Sequence, residues 1–179
     1  MSGRIATAPA IAAAAVLSLA LWPVQIHRAF GLPAHPLLIH VPVVFIPILG
    51  LAVIATALWP RRLERHAPVL AGFAVIANAA TLLAVGAGEA FRADRRALGS
   101  SPTLDQHAEA GDFLRWLMVI LTALLVAALF TRARRIVLAA AAIMAAAAVF
   151  WVIRTGHLGA KVAWGERGPG GPPPGLTGR

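Results

Sequence analysis

Hydrophobic residues fall in five long runs, and polar residues gather in the gaps between them. The first run is Ile5 to Leu21, closed by Trp22-Pro23. The second opens at His35-Pro36 and continues to Trp59; the third is Ala67 to Ala90. Phe113 to Phe130 and Ile136 to Ile153 complete the set. A helix rising ~1.5 Å per residue needs about 20 apolar residues to cross ~30 Å of hydrocarbon. The last four runs meet that length once their flanks are counted. Pro36 suits the first position of a helix, where a missing N–H costs nothing, and this leaves His35 just outside the helix. Pro42 and Pro47 should kink the second run. Thr103-Leu104-Asp105-Gln106 matches a capping box, so a helix is expected from about Leu104, past His107 and through the fourth run. The expected fold is all-α, a transmembrane helical bundle. A four-helix membrane domain over residues 32–165 follows an extra N-terminal apolar helix over 1–23, and a Gly/Pro-rich tail over 166–179 should be disordered.

Composition supports lipid as the solvent. The chain is 59% hydrophobic and 13% charged, against about 25% charged in soluble domains. The net charge of +9 would fit nucleic acid in a soluble protein. Here the arginines stand in short turns, Arg61, Arg62 and Arg65 in one and Arg132, Arg134 and Arg135 in another. That is a topology signal, so nucleic acid is set aside. With both turns in the cytoplasm, the connection 24–36, the loop 91–112 and the C-terminus are expected on the outer face of the membrane. Trp22, Trp59, Trp116 and Trp151 lie near expected span ends. The first run reads as a signal peptide or an uncleaved helix; Ser18-Leu19-Ala20 lies inside it rather than after it, which favours the helix.

The same topology gathers chemistry at one membrane face. His35 and His40 lie at the outer end of the second run, Glu89 at that of the third, His107 before the fourth and His157 after the fifth. Ionisable residues at membrane depth mark functional sites. His35 and His40 point about 140° apart on a regular helix, so one helix cannot offer both to one ion. His107 and Gly111 share a face, and a glycine beneath a histidine leaves room for a flat ligand. With no cysteine, thiolate zinc and iron–sulfur sites are excluded for this chain alone. No serine accompanies the histidines as a nucleophile, which argues against hydrolysis.

The stretches His35-Pro36-Leu37-Leu38-Ile39-His40-Val41-Pro42, His107 with Gly111, and Thr155-Gly156-His157-Leu158-Gly159-Ala160-Lys161 resemble a bacterial integral-membrane family catalogued as domain of unknown function 2231. The resemblance covers about Leu32 to Gly165, with Ala160 where relatives often carry a glycine. It implies the four-helix unit, and fusions of some relatives to Rieske-type domains imply electron transfer.

Three readings follow. The first is a b-type haem electron-transfer module with axial ligands drawn from His40 and His107 or His157, His35 touching a propionate or substrate, and a redox protein or a quinone as partner. The second is a zinc or copper site on His40, His107 and His157, with Glu89, Asp105 and Gly111 in support. The third is a structural membrane subunit whose histidines cap helices. The sequence leaves the reaction and the oligomeric state open.

Overall fold

A computed structural model describes residues 2–59, 64–94 and 100–165. Arg61 and Arg62 of the first arginine turn and the tail 166–179 lie outside the described residues. The helices are α1 (Ser2–Ser18), α2 (Ala34–Leu38), α3 (His40–Leu58), α4 (Ala67–Asp94), α5 (Pro102–Phe130) and α6 (Arg134–Ala160), the last continuing as a π-helical turn over Lys161–Gly165. Four stretches are long and apolar enough to span a membrane: Ala34–Leu58, Ala67–Asp94, Pro102–Phe130 and Arg134–Trp164. They pack as an antiparallel bundle in which α3 touches α4 and α6, and α5 touches α4 and α6. Chain neighbours are thus space neighbours, as short connections require.

The packing explains the alanines. Ala71, Ala74, Ala77, Ala87, Ala141, Ala145 and Ala148 are fully buried, whereas Leu51, Val69, Ile136, Ile143 and Ile153 are exposed. Lipid tails are as apolar as leucine, so burying a large side chain gains little. Small residues instead let backbones approach and collect dispersion contacts. At Gly50 an added Cβ would lie 2.5 Å from Val149 on α6.

α1 lies against α4 and α5, outside the four-helix ring. Asn78, buried in α4, donates from Nδ2 to Ser18 Oγ at 3.1 Å. Ser18 in turn donates to the Ala15 carbonyl. The chain then crosses α4 so closely that a Cβ on Gly86 would sit 2.1 Å from the Val24 carbonyl oxygen. A two-residue hairpin follows, pairing Arg28 with Pro33 and Ala29 with Leu32. Its turn places Phe30 and Gly31 at φ 50° and 78°, the left-handed pair that matches strand twist.

Three local expectations shift. His35 is inside a helix, because α2 starts at Ala34 and Pro36 is its third residue. None of the first-turn N–H groups has an intrahelical acceptor, so proline is tolerated there too. The interruption comes at Ile39, between α2 and α3. Pro42 has no N–H to give the Leu38 carbonyl, while Val43 still donates to Ile39 at 3.1 Å. Finally, α5 begins at Pro102, capped by Ser101, whose side chain accepts from the Leu104 N–H at 3.2 Å. Proline at the first position pre-sets the helix and moves the cap two residues ahead of Thr103. Together α4 and α5 turn most of the polar connection 91–112 into helix.

Candidate functional site

One end of the bundle carries the start of α2, the end of α4, the start of α5 and the end of α6. There the imidazoles of His35 and His107 face each other, centroids 6.0 Å apart and planes at 71°. Both are partly buried. Each ring is held in the same way. His35 Nδ1 lies 2.9 Å from the Ala84 carbonyl oxygen of α4, and His107 Nδ1 lies 3.0 Å from the Thr155 carbonyl oxygen of α6. A carbonyl only accepts, so each Nδ1 carries the proton and donates. Four residues beyond each carbonyl, one turn on, stands a glycine. A Cβ on Gly88 would meet His35 Cε1 at 3.0 Å, and one on Gly159 would meet His107 Cε1 at 3.0 Å. Two helices thus repeat one device, a carbonyl that orients an imidazole and a glycine that lets it lie close. Phe91 also stacks with His35, centroids 6.4 Å apart at 22°.

The consequence is chemical. With Nδ1 protonated on both rings, both Nε2 atoms carry lone pairs. Backbone carbonyls play the orienting role that is common for metal-bound histidine.

The other expected residues are placed differently. His40 is exposed, with Nδ1 3.2 Å from the Leu37 carbonyl, and His157 is exposed. The three-histidine centre does not assemble: among the described residues no group of three or more His, Cys, Asp or Glu could hold a metal. The fold pairs His107 with His35 because α2 docks on α4 while His40 begins a separate helix. Glu89 binds Arg115 Nη1 at 3.1 Å and accepts from Gln25 Nε2 at 3.3 Å. Asp105 accepts from Arg92 and from Ser100. Both carboxylates serve cations rather than imidazoles. Gly111 faces Val85 at 3.9 Å, ordinary packing contact, and Gly156 has open space around it.

A further polar residue of this end is Arg115, whose sequence signal is an arginine inside an apolar run. It is buried on α5, paired with Asp112 at 2.5 Å and Glu89 at 3.1 Å, with its guanidinium 4.3 Å from the Trp22 ring centre. Trp22 also packs on Trp116 at 4.7 Å. At this end His27 contacts Asp94 at 3.0 Å. These contacts tie the segment after α1 to the helices that hold the histidine pair. His66 lies at the opposite end, just before α4.

The family profile described as predicted membrane protein (DUF2231) matches residues 31–168. The chain belongs to that family. The matched region takes in His35, His107, Gly88 and Gly159 and begins at residue 31, in the hairpin turn that follows α1. No curated protein and no solved structure matches the chain.

Proposed function

We propose that this DUF2231 protein is a membrane electron-transfer module that binds one b-type haem between His35 and His107. The observation that carries the reading is the paired cradle: two imidazoles from different helices, each with Nδ1 committed to a carbonyl and Nε2 left as a ligand. The two rings stand 6.0 Å apart between centroids, so both imidazoles could hold one metal-bearing group between them. Bound there, haem would supply reversible one-electron chemistry. The chain's part is to present two neutral imidazoles, hold their planes through Ala84 and Thr155, and surround them with apolar helix. Arg115, Glu89 and Asp112 lie in the same end of the bundle, and their charges are available to bias the potential there.

On this proposal His35 takes the ligand role expected of His40 from the sequence. A zinc or copper site needs at least a third protein donor, and among the described residues none is grouped with this pair. The positive-inside rule supports a bacterial inner-membrane location with the histidine end and the C-terminus periplasmic. A reporter fused after Gly165 should then be active only in the periplasm; a cytoplasmic signal would reverse the orientation.

The decisive test is the visible spectrum of the purified, detergent-solubilised full chain, oxidised and dithionite-reduced. Sharp reduced-minus-oxidised bands are expected. They should be lost or broadened in His35→Ala and in His107→Ala, and kept in His40→Ala, His157→Ala and His66→Ala. A colourless, metal-free protein that folds and survives both key replacements would refute the reading.

A further inference from the structure

Beside the histidine pair, a groove of about 240 Å³ opens between α5 and α6. It is lined by Gln106, Glu109, Ala110, Phe113, Trp151 and Arg154. We infer that this groove binds the headgroup of a membrane quinone or its quinol.

Four features point to that ligand class. The size is right for one ring: pockets for drug-sized ligands run to roughly 300–1,000 Å³, and this one is smaller. The floor is aromatic, with Phe113 and Trp151 in contact at 4.4 Å and 47°, so a flat ring can lie against their open side. Donors and a carboxylate stand around it. The Arg154 guanidinium is 5.3 Å from the Trp151 ring centre, Gln106 offers an amide, and Glu109 is an exposed acid.

Position supplies the fourth. Gln106 and Glu109 flank His107 along α5, and Arg154 precedes Thr155, whose carbonyl holds that histidine. The groove and the haem-ligand candidate therefore share one helix seam, inside apolar spans from which a lipid-soluble ring can enter. The electron step rests on the haem reading; the binding step does not. On oxidation a quinol breaks two O–H bonds and becomes the quinone, releasing two protons and two electrons. Glu109, exposed at the groove, is placed to accept the two protons in turn and return each to water. The electrons would leave one at a time to a one-electron acceptor, which on the haem reading is the group held by His35 and His107, reoxidised by its redox partner between the two steps.

The test uses the full chain in lipid nanodiscs titrated with a short-chain benzoquinone, following quenching of tryptophan fluorescence. Saturable quenching at one site per chain is expected. It should weaken at least tenfold in Phe113→Ala and in Arg154→Ala, both of which keep the Trp151 reporter at the groove, and remain in Phe130→Ala, whose ring is exposed on the far end of the same helix. Thermal melts show that the variants are folded. Non-saturable quenching that is equal in all proteins would mean partition into lipid and would overturn the inference. Mixing the quinol form with oxidised protein separates the two proposals. Dithionite-reducible bands that the quinol fails to reduce would overturn the quinol site and leave the haem standing. Saturable quinone binding without any haem band would support the groove and sink the electron step.

Discussion

Replacing Gly159 by alanine tests the cradle most directly. The new methyl would stand 3.0 Å from His107 Cε1, 3.5 Å from Nδ1 and 3.6 Å from Nε2. The first of these is tighter than a carbon–carbon contact near 3.5–4.0 Å allows. His107 starts one hydrogen bond away from the same helix turn, so the ring cannot retreat and keep Thr155. Overpacking costs about 1–3 kcal/mol, and losing the imidazole–carbonyl bond adds about 1 kcal/mol. Helix propensity returns about 1 kcal/mol, because alanine replaces glycine. The expected net loss is roughly 1–3 kcal/mol, or a few degrees to about 10 °C in Tm for a chain of this size. Gly156→Ala is the internal control: it gains the same propensity and meets nothing within 4 Å. Thermal unfolding of detergent-solubilised protein, followed by circular dichroism, compares the two. If haem is bound, Gly159→Ala should also broaden its reduced bands while Gly156→Ala leaves them sharp. Equal melting temperatures and spectra in the two variants would refute the cradle as a constraint on His107.

Gly88→Ala should repeat the effect through His35, since its Cβ would lie 3.0 Å from both Cε1 and Nδ1; a melt and the spectrum read it. Gly86→Ala puts a Cβ 2.1 Å from the Val24 carbonyl oxygen, so the segment after α1 should lift from α4 and be cut faster by protease around Val24 to Leu32. Arg115→Met should cost roughly 1–3 kcal/mol, reduced from a fully buried pair because Glu89 and Asp112 are partly exposed, whereas Arg92→Met, in an exposed pair with Asp105, should cost under ~1 kcal/mol. Asn78→Ala should lower stability by about 0.6 kcal/mol, at most ~1.7, by removing one interhelical bond; equal losses in Asn78→Ala and the double variant with Ser18→Ala would confirm that the two act as one unit.

The hydrophobic pattern by itself determined that this chain is a bundle of membrane-length helices and which end carries four of its histidines. Lipid forces every backbone group to bond within its own helix, so run length alone sets the spans. Antiparallel connection then carries His35, Glu89, His107 and His157 to one end regardless of packing detail. The interhelical bond of Asn78 is also of the kind that a sequence carries, because a lone amide in an apolar run must find a partner. The histidine pairing was not legible. His35 and His40 are close in sequence and equally polar, and the choice between them depends on where Pro42 interrupts the helix and on α2 docking against α4. The second anchors were also hidden, because Ala84 and Thr155 act through backbone carbonyls that every residue possesses. Gly88 and Gly159 acquire meaning only when an imidazole from another helix lies over them. Side-chain chemistry and hydrophobic runs are local properties; which ring meets which carbonyl is set by the rotation and depth of packed helices, and tertiary structure alone decides those.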